Sequence, residues 1–551
     1  MEEKTWYLKP NLVIEPLVDR WYAWAHILSP ATAAMNVVGR HLKIMNSYIK
    51  SPLTHAAAVK NPKMLGGPFI DYNEPRVDEI KELVDATLFR QHKLIELGQA
   101  IFELNRLVAD HPRGFSLEQL YDKVPEILKG YVELVYDLNH NASFRFFEAL
   151  LYKSEFYNKG FQSLALWLTN NDERPFVLST PRLDEPTVLH LDIPFDHEGI
   201  DSLSRMKRRG GSIEEIAQVL KISESDYPLF STFFTEEKQP CYQKYDGDKA
   251  RMRYFGHACI LIETKEISIL VDPLISYYGY ESNVSHFSDI DLPDVIDYVL
   301  LTHNHQDHIL FETLLPLRHK IKNIIVPRTN SGALQDPNIK LLFQNIGFDN
   351  VIEIDELEEI KFKDCTITGI PFTGEHCDLN IKAKSCFLVA IKQFKFLFVA
   401  DSRIIEKKLY ERIFPLVGNV DVIFLGMECD GAPLSWLYGP LLTETITREN
   451  DQSRRLSGSD FEKGMHLIDV FQPKEVYVYA MGQEPWIEFI SSIKYTDESN
   501  PIVQSNKLVG ECIARGLVAE RLFGEKELLY TYECQTDEFD LNDTVESSLN
   551  R

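Results

Sequence analysis

The sequence predicts an α+β chain in two parts: an N-terminal, largely helical α/β domain over residues 1–245, and a domain of strands alternating with helices over residues 246–532. Three observations predict it. At 551 residues the chain exceeds what one hydrophobic core normally organises. Apolar residues recur at helical spacing in the first part, whereas short β-branched runs dominate the second. Between them, residues 239–249 read QPCYQKYDGDK, polar and turn-forming as a domain seam is.

In the first part, Trp6, Tyr7, Trp21, Tyr22 and Trp24 stand among Pro10, Pro16 and Pro30. No ligand cluster accompanies these aromatics, so they are expected in a core. Over residues 77–108, Ile80, Val84, Leu88, Ile95 and Phe102 keep an approximate three-to-four spacing, with Pro75 before and Pro112 and Gly114 after. This predicts one helix of about 45 Å at ~1.5 Å per residue, long enough to pack along a bundle or a second subunit. A second helical segment is expected after Ser116, and residues 141–169 are aromatic and mixed. Ser212 and Glu215 form a capping box ahead of Ile216, Val219 and Leu220. Just before it, Lys207, Arg208 and Arg209 are a rare basic cluster, either a solvated helix end or a docking point for an acidic partner.

After the seam, residues 252–255, 259–264 and 267–272 read as strands of a tight antiparallel meander. Strands at 296–302, 324–327, 366–371, 386–391, 394–400, 420–425 and 476–480 then alternate with helices near residue 340 and over 460–470. Residues 533–551 form an acidic tail, expected to be disordered.

Composition excludes several classes. A net charge of −25 argues against nucleic acid as the main partner, because phosphate binding needs clustered Lys and Arg. The start, MEEKTWYLKP, lacks the basic-then-apolar order of a signal peptide, and no long apolar run predicts a membrane span. A cytoplasmic protein is expected. The eight cysteines, Cys241 to Cys534, include no C-x-x-C pair and are expected reduced and mostly buried.

The chemistry centres on LTHNHQDHIL, residues 301–310. A buried strand runs into His303, His305, Asp307 and His308, and alternate residues of an extended segment face the same way. His303 and His305 therefore converge on one metal while Asp307 and His308 reach towards a second. Such clustering does not suit core histidines or a solvated loop. Three further loops follow strand candidates: TGEHCD offers Glu375 and His376, the next offers Asp401, and MECD offers Glu428 and Asp430. Spacing alone leaves open which of Glu375 and His376 points inward. His466, in a helical segment, reads as structural.

The H-x-H-x-D-H pattern resembles the signature of the metallo-β-lactamase superfamily. That resemblance implies an αββα sandwich, which the element order fits, with one or two metals at one sheet edge and Asp401 as the carboxylate bridging them. The chain departs from the hydrolytic members where they supply a last histidine, because YVYAMGQEPW has Met481 near that place. The second metal is then left with Asp307, His308 and Asp401, and with open positions. Two histidines and a carboxylate with vacant positions suit non-haem iron and O2 better than zinc, and His303, His305 and Glu375 form that set if Glu375 rather than His376 is the ligand.

A narrower resemblance covers nearly the whole chain. A large N-terminal domain, THNHQDH, TGEHCDL, FVADSR and GMECDGAPLSWLYGP together look like the diiron β-hydroxylases of nonribosomal peptide assembly lines, the chloramphenicol-pathway type. The family's carboxylate ligand maps onto Glu375, which implies that His376 sits behind it, orienting a carboxylate. The resemblance implies two iron ions, with O2 and an external electron donor as co-substrates. The substrate is an amino acid held as a thioester on a peptidyl carrier protein and hydroxylated at its β-carbon. Glu428 and Asp430 are candidates for the substrate ammonium, or else stabilise their loop. The N-terminal domain is the candidate for carrier recognition and for self-association as a homodimer, with residues 207–209 as a docking element. Two alternatives stand beside this reading. A binuclear zinc hydrolase acting on a lactone, thioester or phosphodiester would turn over without O2, and a non-enzymatic binding member would take up no metal.

Overall fold

The structure is a computed structural model and describes residues 4–532 except 172, 241 and 280. The expected tail, residues 533–551, lies outside the described residues.

The N-terminal part is built on a four-stranded antiparallel sheet in the order Trp21–Tyr22, Leu12–Val18, Gln162–Leu168 and Leu189–Leu191. Trp21, Tyr22 and Trp24 are buried in its core, as their type predicts. Helix Pro30–Asn36 runs through a π-turn at Val37–His41 into Leu42–Lys50. It packs so closely on helix His92–Ala109 that a Cβ on Gly98 would lie 2.8 Å from the Ala34 carbonyl oxygen.

The single 45 Å helix is corrected. It is two helices, Val77–Arg90 and His92–Ala109, broken at Gln91, whose φ of −101° and ψ of 20° leave helical geometry. The cause is tertiary: buried Gln91 turns its amide onto the buried carboxylate of Asp19, which also pairs with Arg90 at 2.9 Å. The break shifts the apolar stripe to Leu94, Leu97, Ile101 and Leu104 and leaves Leu88 exposed. The helix expected after Ser116 is likewise only two 3-10 turns, Glu118–Lys123 and Glu126–Leu128, because Pro125 interrupts it. Ser212 does cap its helix, accepting from the Glu215 backbone N–H at 3.2 Å.

The second part holds two seven-stranded mixed sheets. One runs Val351–Ile354, Ile321–Pro327, Ile296–Leu300, Ser268–Val271, Ile260–Glu263, Lys249–Tyr254 and Lys526–Thr531. The other runs Glu359–Phe362, Cys365–Ile370, Cys386–Ile391, Phe394–Phe398, Val422–Gly426, Glu475–Tyr479 and Val518–Arg521. Strand alternation explains the stacking. Ile260, Ile262, Ile269 and Leu300 face Phe387, Val389, Phe396 and Phe424 in the core between the sheets. The opposite face of the second sheet, with Leu397, Ile423 and Val478, lies under helices Lys407–Val417, Phe461–Phe471 and Asn500–Ala514.

The opposite face of the first sheet, with Leu261, Leu270, Val299 and Ile324, belongs to the same core as the N-terminal aromatics. The N-terminal part therefore covers one side of the sandwich rather than hanging from it. Two polar seams secure that contact. Fully buried Glu15 takes Arg182 at 2.9 and 3.0 Å and Arg174 at 2.9 Å, and Arg174 reaches on to Glu312 at 2.7 Å, in helix Phe311–Leu317 just after the histidine cluster. Lys207 pairs with Asp289 and Arg208 with Asp294, each at 2.6 Å. The Lys207–Arg209 cluster is thus no solvated helix end: two members bind the facing loop, and Arg209 remains exposed.

Among the described residues no helix is long and apolar enough to cross a membrane. The six described cysteines are all free, and all but Cys429 are buried.

Candidate metal centre

Strand Ile296–Leu300 delivers the cluster to the sheet edge, where His303 and His308 are fully buried and His305 nearly so. Each ring is oriented from behind. His303 Nδ1 meets the Thr302 hydroxyl at 3.0 Å, His308 Nδ1 meets Asp272 Oδ2 at 2.8 Å, and His305 Nε2 meets the Tyr438 hydroxyl at 3.2 Å. These contacts turn the other nitrogens, Nε2 of His303 and His308 and Nδ1 of His305, towards one another and towards three carboxylates.

Among the described residues, three sets of side chains bring donor atoms within 4.8 Å of one another: His303, His305 and Glu375; His303, His308 and Asp401; and His257, Asp307 and His308. Asp401 Oδ2 lies 3.1 Å from His308 Nε2 and 3.8 Å from His303 Nε2, between the other two sets. Glu375 Oε1 is 2.9 Å from His305 Nδ1, while its Oε2 lies 2.8 Å from His376 Nδ1. His376 stacks on His305 at 4.5 Å and belongs to none of the three sets. What separates these neighbours is backbone: Glu375, Cys377 and Asp378 all have positive φ, with 62° at Glu375, and the chain turns sharply.

Burial penalises charge throughout the site, and the neighbours decide the outcome. It drives His303 well below the usual imidazole range. It also opposes charge on His305 and His308, but Glu375 holds His305 up, and Asp401 with Asp272 holds His308 up. Glu375 and Asp307, despite burial, are held well below the carboxylate range by the facing histidines. The ionised carboxylates hold protons on His305 and His308, and a cation bound among these donors would take the place of those protons. The fit to a metal has a second mark. His303 Nε2, Asp401 Oδ1 and both nitrogens of His257 are buried without a hydrogen-bond partner among the described residues, a state that buried polar atoms rarely keep.

His257, Asp272 and Tyr438 were not singled out from sequence. His257 sits at φ 49° in the turn between strands Lys249–Tyr254 and Ile260–Glu263, a lone histidine with no ligand neighbour. The only available signal was its place in a tight Gly-His-Ala turn at a strand end. Its carbonyl accepts from the Ala480 N–H at 2.8 Å, so the strand end that carries Met481 meets His257. Met481 itself is buried in the core beneath the second sheet. His466 bonds the Lys407 carbonyl at 3.0 Å, a structural contact.

A cavity of about 300 Å³ opens onto the centre. His305, Asp307, Glu375 and Asp401 line it, with apolar Leu437, Leu456, Ile490 and Ile493. Glu428 lines it too, bound to the Tyr495 hydroxyl and the Gly431 N–H, and burial pushes its carboxyl up to about 7. Asp430 does not line it: it is exposed and bonds Asn500 Nδ2 at 2.8 Å.

Residues 7–238 match the family described as the N-terminal domain of diiron non-heme beta-hydroxylases, and residues 268–433 match the beta-lactamase superfamily domain. Over 524 residues the chain is 37% identical to the 4-amino-L-phenylalanyl-[CmlP-peptidyl-carrier-protein] 3-hydroxylase of Streptomyces venezuelae, across 94% of this chain and 98% of that one. The chain belongs to the CmlA-like diiron β-hydroxylases. The crystal structure of CmlA, from the same organism, matches with a TM-score of 0.89 at 36% identity, over 95% of this chain and 99% of CmlA. A mutant CmlA structure matches at 0.86. The oxygenase reading is therefore favoured over the zinc hydrolase alternative, and the helical α/β domain followed by a metallo-β-lactamase-like sandwich stands as expected.

Proposed function

We propose that this CmlA-like enzyme β-hydroxylates an amino acid carried as a thioester on a peptidyl carrier protein, using O2 and an external electron donor. The observation that supports it most is the convergence of three donor sets on the floor of one cavity. In this reading His303, His305 and Glu375 would hold one iron, Asp307 and His308 with His257 would hold the other, and Asp401, whose donor atom groups with those of His303 and His308, would serve the pair. The bound pair supplies reductive O2 activation, which protein side chains cannot perform. One oxygen atom enters the β-carbon–hydrogen bond, and the other leaves as water, with two electrons and two protons from the donor.

The chain's own residues do the rest. Asp272, Thr302 and Tyr438 fix the imidazole orientations, and His376 Nδ1 faces the far oxygen of Glu375 at 2.8 Å. Leu437, Leu456, Ile490 and Ile493 keep water from the reacting carbon and position it. Glu428, tied to Tyr495, offers a polar anchor for the aminoacyl group; Asp430 faces away and stabilises its loop. Self-association through the N-terminal domain belongs to the same proposal, and sedimentation tests it.

The test is incubation of the iron-loaded enzyme with a panel of aminoacyl-loaded carrier proteins, donor and O2, followed by mass spectrometry. A gain of one oxygen on a loaded amino acid is expected, and none without O2. Release of the amino acid without O2 would replace this reading with the zinc hydrolase.

A further inference from the structure

Beside the site cavity lies a larger one of about 730 Å³. Leu65, Gly66, Pro433, Trp436 and Arg455 line both, so they form the partition between an outer chamber and the metal centre. The partition is held by the Trp436 indole N–H, which donates to the Gly66 carbonyl at 2.7 Å. Gly66 itself has φ 73°, and a Cβ there would stand 2.7 Å from that indole nitrogen. A side chain at residue 66 would push Trp436 out of place.

The charge of the outer chamber runs against the rest of the molecule. The chain has 83 acidic and 58 basic residues, yet among the described residues the charged ones lining this chamber are Arg40, Lys43, Lys63 and Arg455, with no Asp or Glu. None of the four pairs with a carboxylate among the described residues. Arg40 donates to the carbonyls of Trp436 and Leu437 at 2.7 and 3.2 Å, and Arg455 to those of Asp430 and Gly431. Lys43 and Lys63 are exposed at the chamber's mouth side. Four unneutralised cations favour an anionic group held in the chamber itself.

We infer that the outer chamber seats the carrier's phosphopantetheine arm, with Lys43 and Lys63 receiving its phosphate and the thioester end entering past the Gly66–Trp436 partition. This rests on the carrier-bound substrate proposed above. The arm supplies such a group: a phosphodiester anion at the carrier end, then an uncharged chain of amides and methyl groups, with the cationic aminoacyl tip past the partition on the side of Glu428. The chamber's Ile44, Phe69, Phe176 and Leu178 suit the uncharged part. A charge-assisted contact of ammonium to phosphate is among the stronger hydrogen bonds available at a surface.

The experiment is the double variant Lys43→Glu, Lys63→Glu, checked for unchanged circular dichroism and iron content. Hydroxylation is followed against loaded-carrier concentration, and separately with the same aminoacyl group on pantetheine, which lacks the phosphate. For the loaded carrier, KM is expected to rise about tenfold or more with kcat within about twofold, and KM for the pantetheine thioester to move far less. Free 4′-phosphopantetheine should inhibit the parent enzyme more strongly than pantetheine does, and the variant should lose that difference. An unchanged KM for loaded carrier, or an equal rise for both substrates, overturns the inference and leaves the hydroxylase reading intact. A parent enzyme that hydroxylates no loaded carrier removes both.

Discussion

Glu15→Ala is expected to loosen the join between the N-terminal part and the metal-bearing sandwich. Glu15 is fully buried, and its two oxygens bind Arg182 and Arg174 over 2.9–3.0 Å. Removing one partner of such a network leaves buried charge uncompensated, at a cost of about 3–5 kcal/mol. Here Arg174 keeps Glu312, so the group left exposed to that cost is chiefly Arg182, whose other partners are the Pro175 and Thr180 carbonyls at 3.4 and 3.3 Å. The lower end, about 3 kcal/mol, follows. The urea slope is up to ~3 kcal/mol/M for small proteins and larger for longer chains, so the midpoint should fall by at most about 1 M. Asp78→Ala, which removes the exposed partner of Lys81 at 2.8 Å, is the control and should leave the midpoint essentially unmoved. Burial opposes the Glu15 charge, but Arg182 and Arg174 overcome it and hold the carboxyl below its ordinary value. Its contribution is therefore present above the unfolded carboxylate range and lost as pH falls through the depressed value, so the two proteins should converge in acid. A loss no larger than that of Asp78→Ala at neutral pH would refute the network as a structural join.

Other outcomes follow from the same geometry. Glu375→Ala should lose iron by elemental analysis, whereas His376→Ala should retain most of it, and the reverse order would exchange their proposed roles. Met481→Ala should cost about 2–5 kcal/mol in thermal unfolding, as large-to-small core changes do, yet leave iron content unchanged. Glu428, pushed up to about 7 by burial, favours the folded state while protonated, so that its contribution fades as pH rises from the unfolded carboxylate range to about 7. Glu428→Gln should flatten that part of the Tm-versus-pH curve, and an unaltered curve would count against the shift.

The His303 to His308 cluster was legible because it is local. A strand, a two-residue period and four donor side chains within six residues bring ligands together without help from the rest of the chain. The sandwich was legible for a similar reason, since its strands are continuous apolar runs whose alternate faces must both be covered. The break at Gln91 was not, because a helical spacing reads the same on either side of a kink made by Asp19, a residue far away in sequence. Nor was His257, which reaches Asp307 and His308 only when the first sheet pairs. Adjacent Glu375 and His376 differ by a backbone turn at positive φ, a property of the folded loop and not of residue type. What the sequence by itself determined is the chemistry available, metal donors at a strand exit on a known scaffold. Tertiary structure alone decided which donors meet, which cations are spent on the domain seam and which line the way in, because these depend on contacts between segments with no sequence relation to one another.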